Sequence, residues 1–160
     1  MATPEAVALF PVGRADALIV ALANRHYPRE GKPPACAVGS PARTLILRDF
    51  QGMVGFVWTW PRDGFRRDGQ TGANCELFRN ESGWRSSDLI LAAEAWVRHA
   101  WPDVGRAFTY VDPAKVQSRN PGYCFLCASW ERVGRSRSGK ILLAKDFGRA
   151  VQKPPAGEGG

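Results

Sequence analysis

Three short stretches of this 160-residue chain carry side chains able to move protons or hold anions. The first is Asn24-Arg25-His26-Tyr27-Pro28. Pro28 cannot continue a helix and keeps Tyr27 out of the α region, so His26 and Tyr27 are presented at a helix exit. There His26 either serves proton transfer or metal ligation near neutral pH, or bonds a terminal carbonyl. The second stretch is Glu81-Ser82-Gly83-Trp84-Arg85-Ser86-Ser87, a polar loop lying directly before apolar residues at helical spacing. Ser86 or Ser87 is the expected N-cap; the free N–H groups of the helix start, its dipole and Arg85 then converge on one point, which makes the loop an anion site. The third stretch holds Asp112 and Tyr123. Asp112 ends a run of β-formers and either faces a ligand or caps the turn begun by Pro113, while Tyr123 opens a helix after Asn120-Pro121-Gly122. In the same segment Cys124 and Cys127 form a C-x-x-C, but Phe125, Leu126 and Ala128 give it the look of buried helix rather than a zinc knuckle, and no second close pair exists.

These residues need elements to hold them. Cys75, Leu77 and Phe78 read as a strand leaving the core at Arg79-Asn80-Glu81. After the loop, Leu89, Ala92, Ala93, Trp96, Val97 and Ala100 recur at steps of three and four, one apolar stripe for packing on a sheet, with Asp88, Glu94 and Arg98 off it. Upstream, residues 7–10 suit a short edge strand and 16–24 a helix with Leu18, Ile19 and Leu22 on one face. Runs at 35–38, 44–47 and 53–60 suit an antiparallel meander, followed by an exposed Arg/Asp/Gly loop from Pro61 to Gly72. Downstream come a strand over 107–111, a helix over 123–130, a basic turn and a last strand over 141–144. The pattern is mixed α/β with a mostly antiparallel sheet in a single domain over 1–150, and a disordered Pro/Gly-rich tail over 151–160.

A composition that is 44% apolar and 11% aromatic supports one sizeable core. The chain has no apolar run near the ~20 residues of a membrane span and no basic-then-apolar leader, so the expected compartment is the cytoplasm, with the four cysteines reduced. The formal charge is +7 and the pI about 9.7, with the excess mostly arginine. Arg62, Arg66 and Arg67 cluster in one loop, and Arg132, Arg135, Arg137 and Lys140 near a hairpin, which points to an acidic polymer as partner.

The order helix, meander, strand-loop-helix, strand, helix, strand resembles the GCN5-related N-acetyltransferase fold. In that fold the loop matching Glu81 to Ser87 cradles the coenzyme A pyrophosphate, although the usual pattern of Arg or Gln, two residues, Gly, one residue, Gly or Ala is here reduced to Gly83 followed by Trp84 and Arg85. Within that fold, E-L-F-R-N-E, S-S-D-L-I, F-T-Y-V-D-P and N-P-G-Y-C-F, in this order over roughly residues 14 to 145, resemble the phage Mom family of DNA-modification proteins. The resemblance implies a host bacterial cytoplasm and transfer of an acetyl-CoA-derived group to the exocyclic amine of adenine in double-stranded DNA. The modified base, of carbamoylmethyl type, protects against restriction. It also implies roles for particular residues. His26 or Asp112 would take a proton or share a metal, Tyr123 would protonate the leaving thiolate, and Arg79 would hold a carboxylate or phosphate unless it pairs with Glu81 or Asp112. DNA would lie on Arg62, Arg66, Arg67, Arg135 and Arg137, with Tyr27, Trp58 or Trp60 stacking on a flipped base.

Overall fold

The computed structural model describes residues 8–26, 42–61, 68–114 and 120–148. In chain order its elements are β1 Phe10–Val12, α1 Ala17–His26, β2 Ala42–Arg48, β3 Val54–Pro61, β4 Ala73–Asn80, α2 Ser86–Ala100, β5 Arg106–Val111, α3 Tyr123–Cys127, β6 Glu131–Arg135 and β7 Ile141–Asp146. The strands form one seven-stranded sheet in the order β1-β2-β3-β4-β5-β7-β6. Every neighbouring pair is antiparallel except β4 and β5.

Strand alternation divides the sheet's side chains between two faces. On one face Leu45, Leu47, Phe56, Trp58, Cys75, Ala107 and Leu143 pack with Leu89, Ile90, Ala93, Trp96 and Val97 of α2 and Phe125 of α3. On the other, Ile19, Leu22 and Ala23 of α1 cover Ile46, Val57 and Leu77. Gly55 permits this close seating, because a Cβ there would stand 2.6 Å from Ile19 Cδ1 and 2.7 Å from Leu22 Cδ2.

Two features of β4 shape the site. Its pairing with β3 shifts register between Val57 and Trp58, which face Leu77 and Cys75 respectively and so leave Glu76 as an extra residue, a bulge. The bulge reverses the alternation: Cys75 belongs to the α2 face, Leu77 to the α1 face and Phe78 again to the α2 side. The second feature is the brevity of the parallel pairing. β4 and β5 share only Ala73↔Ala107 and Asn74↔Phe108, and the Thr109 hydroxyl then donates to the Cys75 carbonyl at 2.8 Å. Beyond that rung β4 stays with β3 and β5 with β7, so the sheet splits toward their C-terminal ends.

Several sequence expectations change. The edge strand runs Phe10–Val12, with residues 8 and 9 outside it and residue 7 outside the described residues, and the helix opened by Tyr123 stops at Cys127, with Ser129 in a left-handed turn at φ 71°. Glu94, expected off the apolar stripe of α2, is 5% exposed, while Ala100, expected on it, is exposed. The strand expected over 35–38 and the tail over 151–160 lie outside the described residues.

Candidate functional site

The loop from Glu81 to Arg85 is organised by the side chain of the last residue of β4. Asn80 Nδ2 donates to the Trp84 carbonyl at 2.8 Å and to Ser86 Oγ at 3.0 Å, while its Oδ1 accepts from the Ser82 N–H at 2.9 Å and from the Ser82 hydroxyl at 2.5 Å. Ser82 Oγ in turn accepts from the Trp84 N–H at 3.1 Å. The fold thus holds the loop without using the N–H groups of Gly83, Arg85, Ser86 and Ser87, none of which donates to an acceptor among the described residues. A Cβ built on Gly83 meets nothing within 4 Å, so the space beside Gly83 is open. Trp84 does not block it, because its side chain packs against the main core.

The expectation of a serine N-cap is corrected. Arg85 occupies the cap position in extended geometry, with no side-chain cap bond; Ser86 already lies in the helix with its hydroxyl turned to Asn80, and Ser87 is buried. The N–H groups a capping hydroxyl would have taken are left without it, beside the exposed Arg85 and the positive end of the α2 dipole.

Glu81 serves the scaffold. Its carboxylate lies 3.0 Å from Arg25 near the end of α1 and 3.3 Å from Arg79 on β4, and the two guanidiniums, Arg25 first, hold its pKa below the usual range. Arg79 therefore takes the ion pair with Glu81 that the sequence left open. The clamp fixes the exit of α1, hence the backbone of His26, beside the C-terminal end of β4. The His26 side chain, Tyr27, Arg62, Arg66 and Arg67 lie outside the described residues.

Across the split, Asp112 follows β5 and its Oδ1 accepts from the Ala114 N–H at 3.0 Å, so it caps the turn after Pro113 while remaining half-exposed. Tyr123 is 59% exposed at the start of α3. Gly122, at φ 82°, brings this start onto β5 and β7, since a Cβ there would meet Leu143 at 2.6 Å and Val111 at 3.7 Å. The Cys127 thiol beside Tyr123 holds its hydroxyl above the usual tyrosine range, and Arg85 pulls weakly the other way. The structure therefore gathers the loop, Arg85, Tyr123 and Asp112 at the open end of the split.

Arg135 and Arg137 stand at this end too. Arg135 of β6 pairs with Ile141 of β7, which pairs with Val111 of β5, and Arg137 lies in the turn between β6 and β7. Both are exposed, and among the described residues neither has a carboxylate partner. Pro61, where the chain enters the segment holding Arg62, Arg66 and Arg67, pairs with Ala42 at the opposite end of the sheet.

One of the expected base-stacking residues is corrected. Trp58 is fully buried in a closed ring of aromatics in which Phe56–Trp58, Trp58–Trp130, Trp130–Phe125, Phe125–Phe78 and Phe78–Phe56 are 6.1, 6.3, 4.8, 6.1 and 4.4 Å apart. Trp60 is half-buried with the Arg43 guanidinium 3.7 Å over its ring, and it borders a shallow cleft of ≈ 410 Å³ with Thr71, Gly72, Gly105, Arg106 and Asp146 at the end remote from the loop.

Sequence reasoning missed Glu76. The bulge turns it to the α1 face, exposed, with Oε1 accepting from the Thr59 hydroxyl at 3.0 Å, and this carboxylate beside the last rung between β4 and β5 is able to accept a proton. The visible signal was Leu77-Phe78, two consecutive apolar residues where strict alternation calls for one. Among the described residues no three His, Cys, Asp or Glu side chains are grouped to hold a metal ion.

With this geometry the chain can be set beside known proteins. No protein-family model matches it, and no curated protein matches it in sequence. Solved structures do match: aminoglycoside acetyltransferase AAC(6')-Ib in complex with coenzyme A and kanamycin superposes with a TM-score of 0.56 at 14% identity over 87% of this chain and 94% of that one. The same acetyltransferase with coenzyme A alone gives 0.54 at 16% identity over the same shares. The fold is that of an acetyltransferase. The mixed architecture expected from the order of elements is thus present, with its seven-stranded sheet between α1 and the α2–α3 layer. At this identity the likeness concerns fold alone.

Proposed function

We propose that the chain is an acetyl-CoA-dependent transferase that delivers an acyl-derived group to an amine. The observation that carries this reading is the split between β4 and β5 with four N–H groups unclaimed by the fold at its open end. The residues suit the coenzyme: the N–H groups of Gly83, Arg85, Ser86 and Ser87 would bind pyrophosphate, with the Arg85 guanidinium beside them. Bound acetyl-CoA supplies a thioester carbonyl open to attack by nitrogen. Glu76 Oε is the group set to take the proton the amine loses, with Asp112 and His26 as further candidates at the open end. The Tyr123 hydroxyl, held protonated across neutral pH, is set to return a proton to the departing sulfur.

A small amine as acceptor is supported by the matching structures, which are aminoglycoside acetyltransferases. A second reading, the N6 amine of adenine in duplex DNA as in the Mom family, is favoured by Arg135 and Arg137, exposed beside the split and without carboxylate partners among the described residues, and by the ordered motifs of the sequence. One experiment separates them. The protein is incubated with labelled acetyl-CoA and either kanamycin with other primary amines or plasmid DNA, and the amines and the nucleoside digest are analysed by mass spectrometry. A labelled amine with unchanged DNA selects the first acceptor and a new adenosine species the second. Label transferred to neither, with no heat of acetyl-CoA binding at millimolar concentration, would overturn the transferase reading itself.

A further inference from the structure

Glu94 and Lys145 form an ion pair inside the fold that the reaction above does not use. Glu94, in the middle of α2, is buried; its Oε1 lies 2.7 Å from Lys145 Nζ on β7, and its Oε2 accepts from the Trp130 indole N–H at 3.3 Å. Arg98, one turn along α2, adds a weaker attraction. Lys145 also donates to the Ala128 carbonyl at 3.0 Å. One ion pair thus ties α2 and β7 to both ends of the turn Ala128-Ser129-Trp130 that follows α3. Within this turn Ser129 has φ 71°, the one positive φ outside glycine among the described residues. Left-handed backbone is unfavourable for a residue with a Cβ and persists where its surroundings over-determine it.

The helix α3 has five residues, too few to hold a helix alone, so it lies where its neighbours put it. At its start Gly122 seats it against Leu143 and Val111. Beyond its end the Trp130 ring, whose indole Glu94 holds, packs edge-on against Phe125 at 4.8 Å, two residues from Tyr123. Exchanging a buried ion pair for apolar groups of similar volume is often neutral in stability, so what such a pair can add is one defined arrangement. We propose that Glu94 is a positioning residue: through Lys145 and Trp130 it fixes the end of α3 and thereby holds the Tyr123 hydroxyl at the open end of the split. The effect on turnover rests on the transferase reading and on the role of Tyr123 in it; the anchoring of α3 does not.

The test uses the full chain and the double variant Glu94→Gln with Lys145→Met, which leaves neither charge stranded and should melt close to wild type even where Glu94→Gln alone does not fold. The N–H groups of Ala128, Ser129 and Trp130 all donate back into α3. In the double variant these amides should exchange with deuterium about tenfold faster or more than in wild type, while the buried stretch of α2 from Ile90 to Val97 keeps its protection. Acetyl-CoA turnover should show kcat lowered by about tenfold or more at unchanged KM for the coenzyme. Placed on Tyr123→Phe, the same double change should lower the residual rate no further, because the group it positions is already gone. Wild-type exchange in α3 would overturn the anchor. A fall in kcat that is as large without the Tyr123 hydroxyl as with it, or that merely follows a fall in melting temperature, would overturn the positioning role. A wild-type protein that never turns over acetyl-CoA defeats the transferase reading, while the exchange measurement still decides whether Glu94 anchors α3.

Discussion

Asn80 engages both ends of its amide to hold the loop that follows it, so its removal should act on binding and stability together. Asn80→Ala leaves the Trp84 carbonyl and the Ser82 groups without their partner, a cost of about 1–3 kcal/mol, and should weaken acetyl-CoA binding by about tenfold or more in calorimetry. Tyr123→Phe is expected to behave in the opposite way. The side chain is largely exposed, so melting should not change, while transfer should drop by ~10²–10⁴-fold. Because the Cys127 thiol raises the Tyr123 pKa, the wild-type rate should hold into the alkaline range and fall only as the hydroxyl ionises, and the Phe variant should lack that fall. At this scale the sequence was partly legible. A polar loop before a helical stripe announced the free N–H groups of a helix start, but the serine cap did not form because Asn80, six residues earlier, captured the Ser86 hydroxyl. Glu76 was invisible for a related reason: only strand pairing reveals which residue of Glu76-Leu77-Phe78 is the extra one.

Among the elements, α1 is joined to β4 through Arg25, Glu81 and Arg79. Glu81 has a folded pKa below its ordinary one, so the clamp contributes stability above the ordinary glutamate range and loses it as pH falls through the folded value. Glu81→Gln should therefore melt slightly below wild type at neutral pH, by under about 1 kcal/mol given how exposed the Arg25 pair is, and the difference should vanish in acid. A larger effect is expected inside. Glu94 of α2 lies 2.7 Å from Lys145 Nζ and accepts from the Trp130 indole at 3.3 Å, while Lys145 also donates to the Ala128 carbonyl at 3.0 Å. Burial pushes the Glu94 pKa up in spite of these partners. Glu94→Ala strands the lysine and should cost about 3–5 kcal/mol in urea unfolding. The stripe of α2 was readable from Leu89, Ala93, Trp96 and Val97, but Glu94 was not: its partners lie on β7 and after α3, distant in sequence and brought near only by the fold.

For the molecule as a whole, any interaction drawn by the net charge of +7 should weaken with salt. If duplex DNA is the acceptor, changing both Arg135 and Arg137 to Ala should reduce the slope of log affinity against log salt by about two and leave acetyl-CoA binding intact, as filter binding and calorimetry would report. An unchanged slope would remove these residues from the DNA surface. The overall order of elements was legible because every strand except β6 carries a run of β-formers; how β4 meets β5 was not, because parallel pairing between strands separated by a helix leaves no local mark. That junction also governs how the molecule breathes. With two paired positions and one hydroxyl bond between β4 and β5, the sheet is two smaller sheets joined at one end, β1 to β4 and β5 to β7. Backbone amides of residues 77–80 and 109–111 that point into the gap should exchange with deuterium far faster than those facing β3 and β7, and a ligand wedged there should slow them all at once, as a key stiffens the lock it fills.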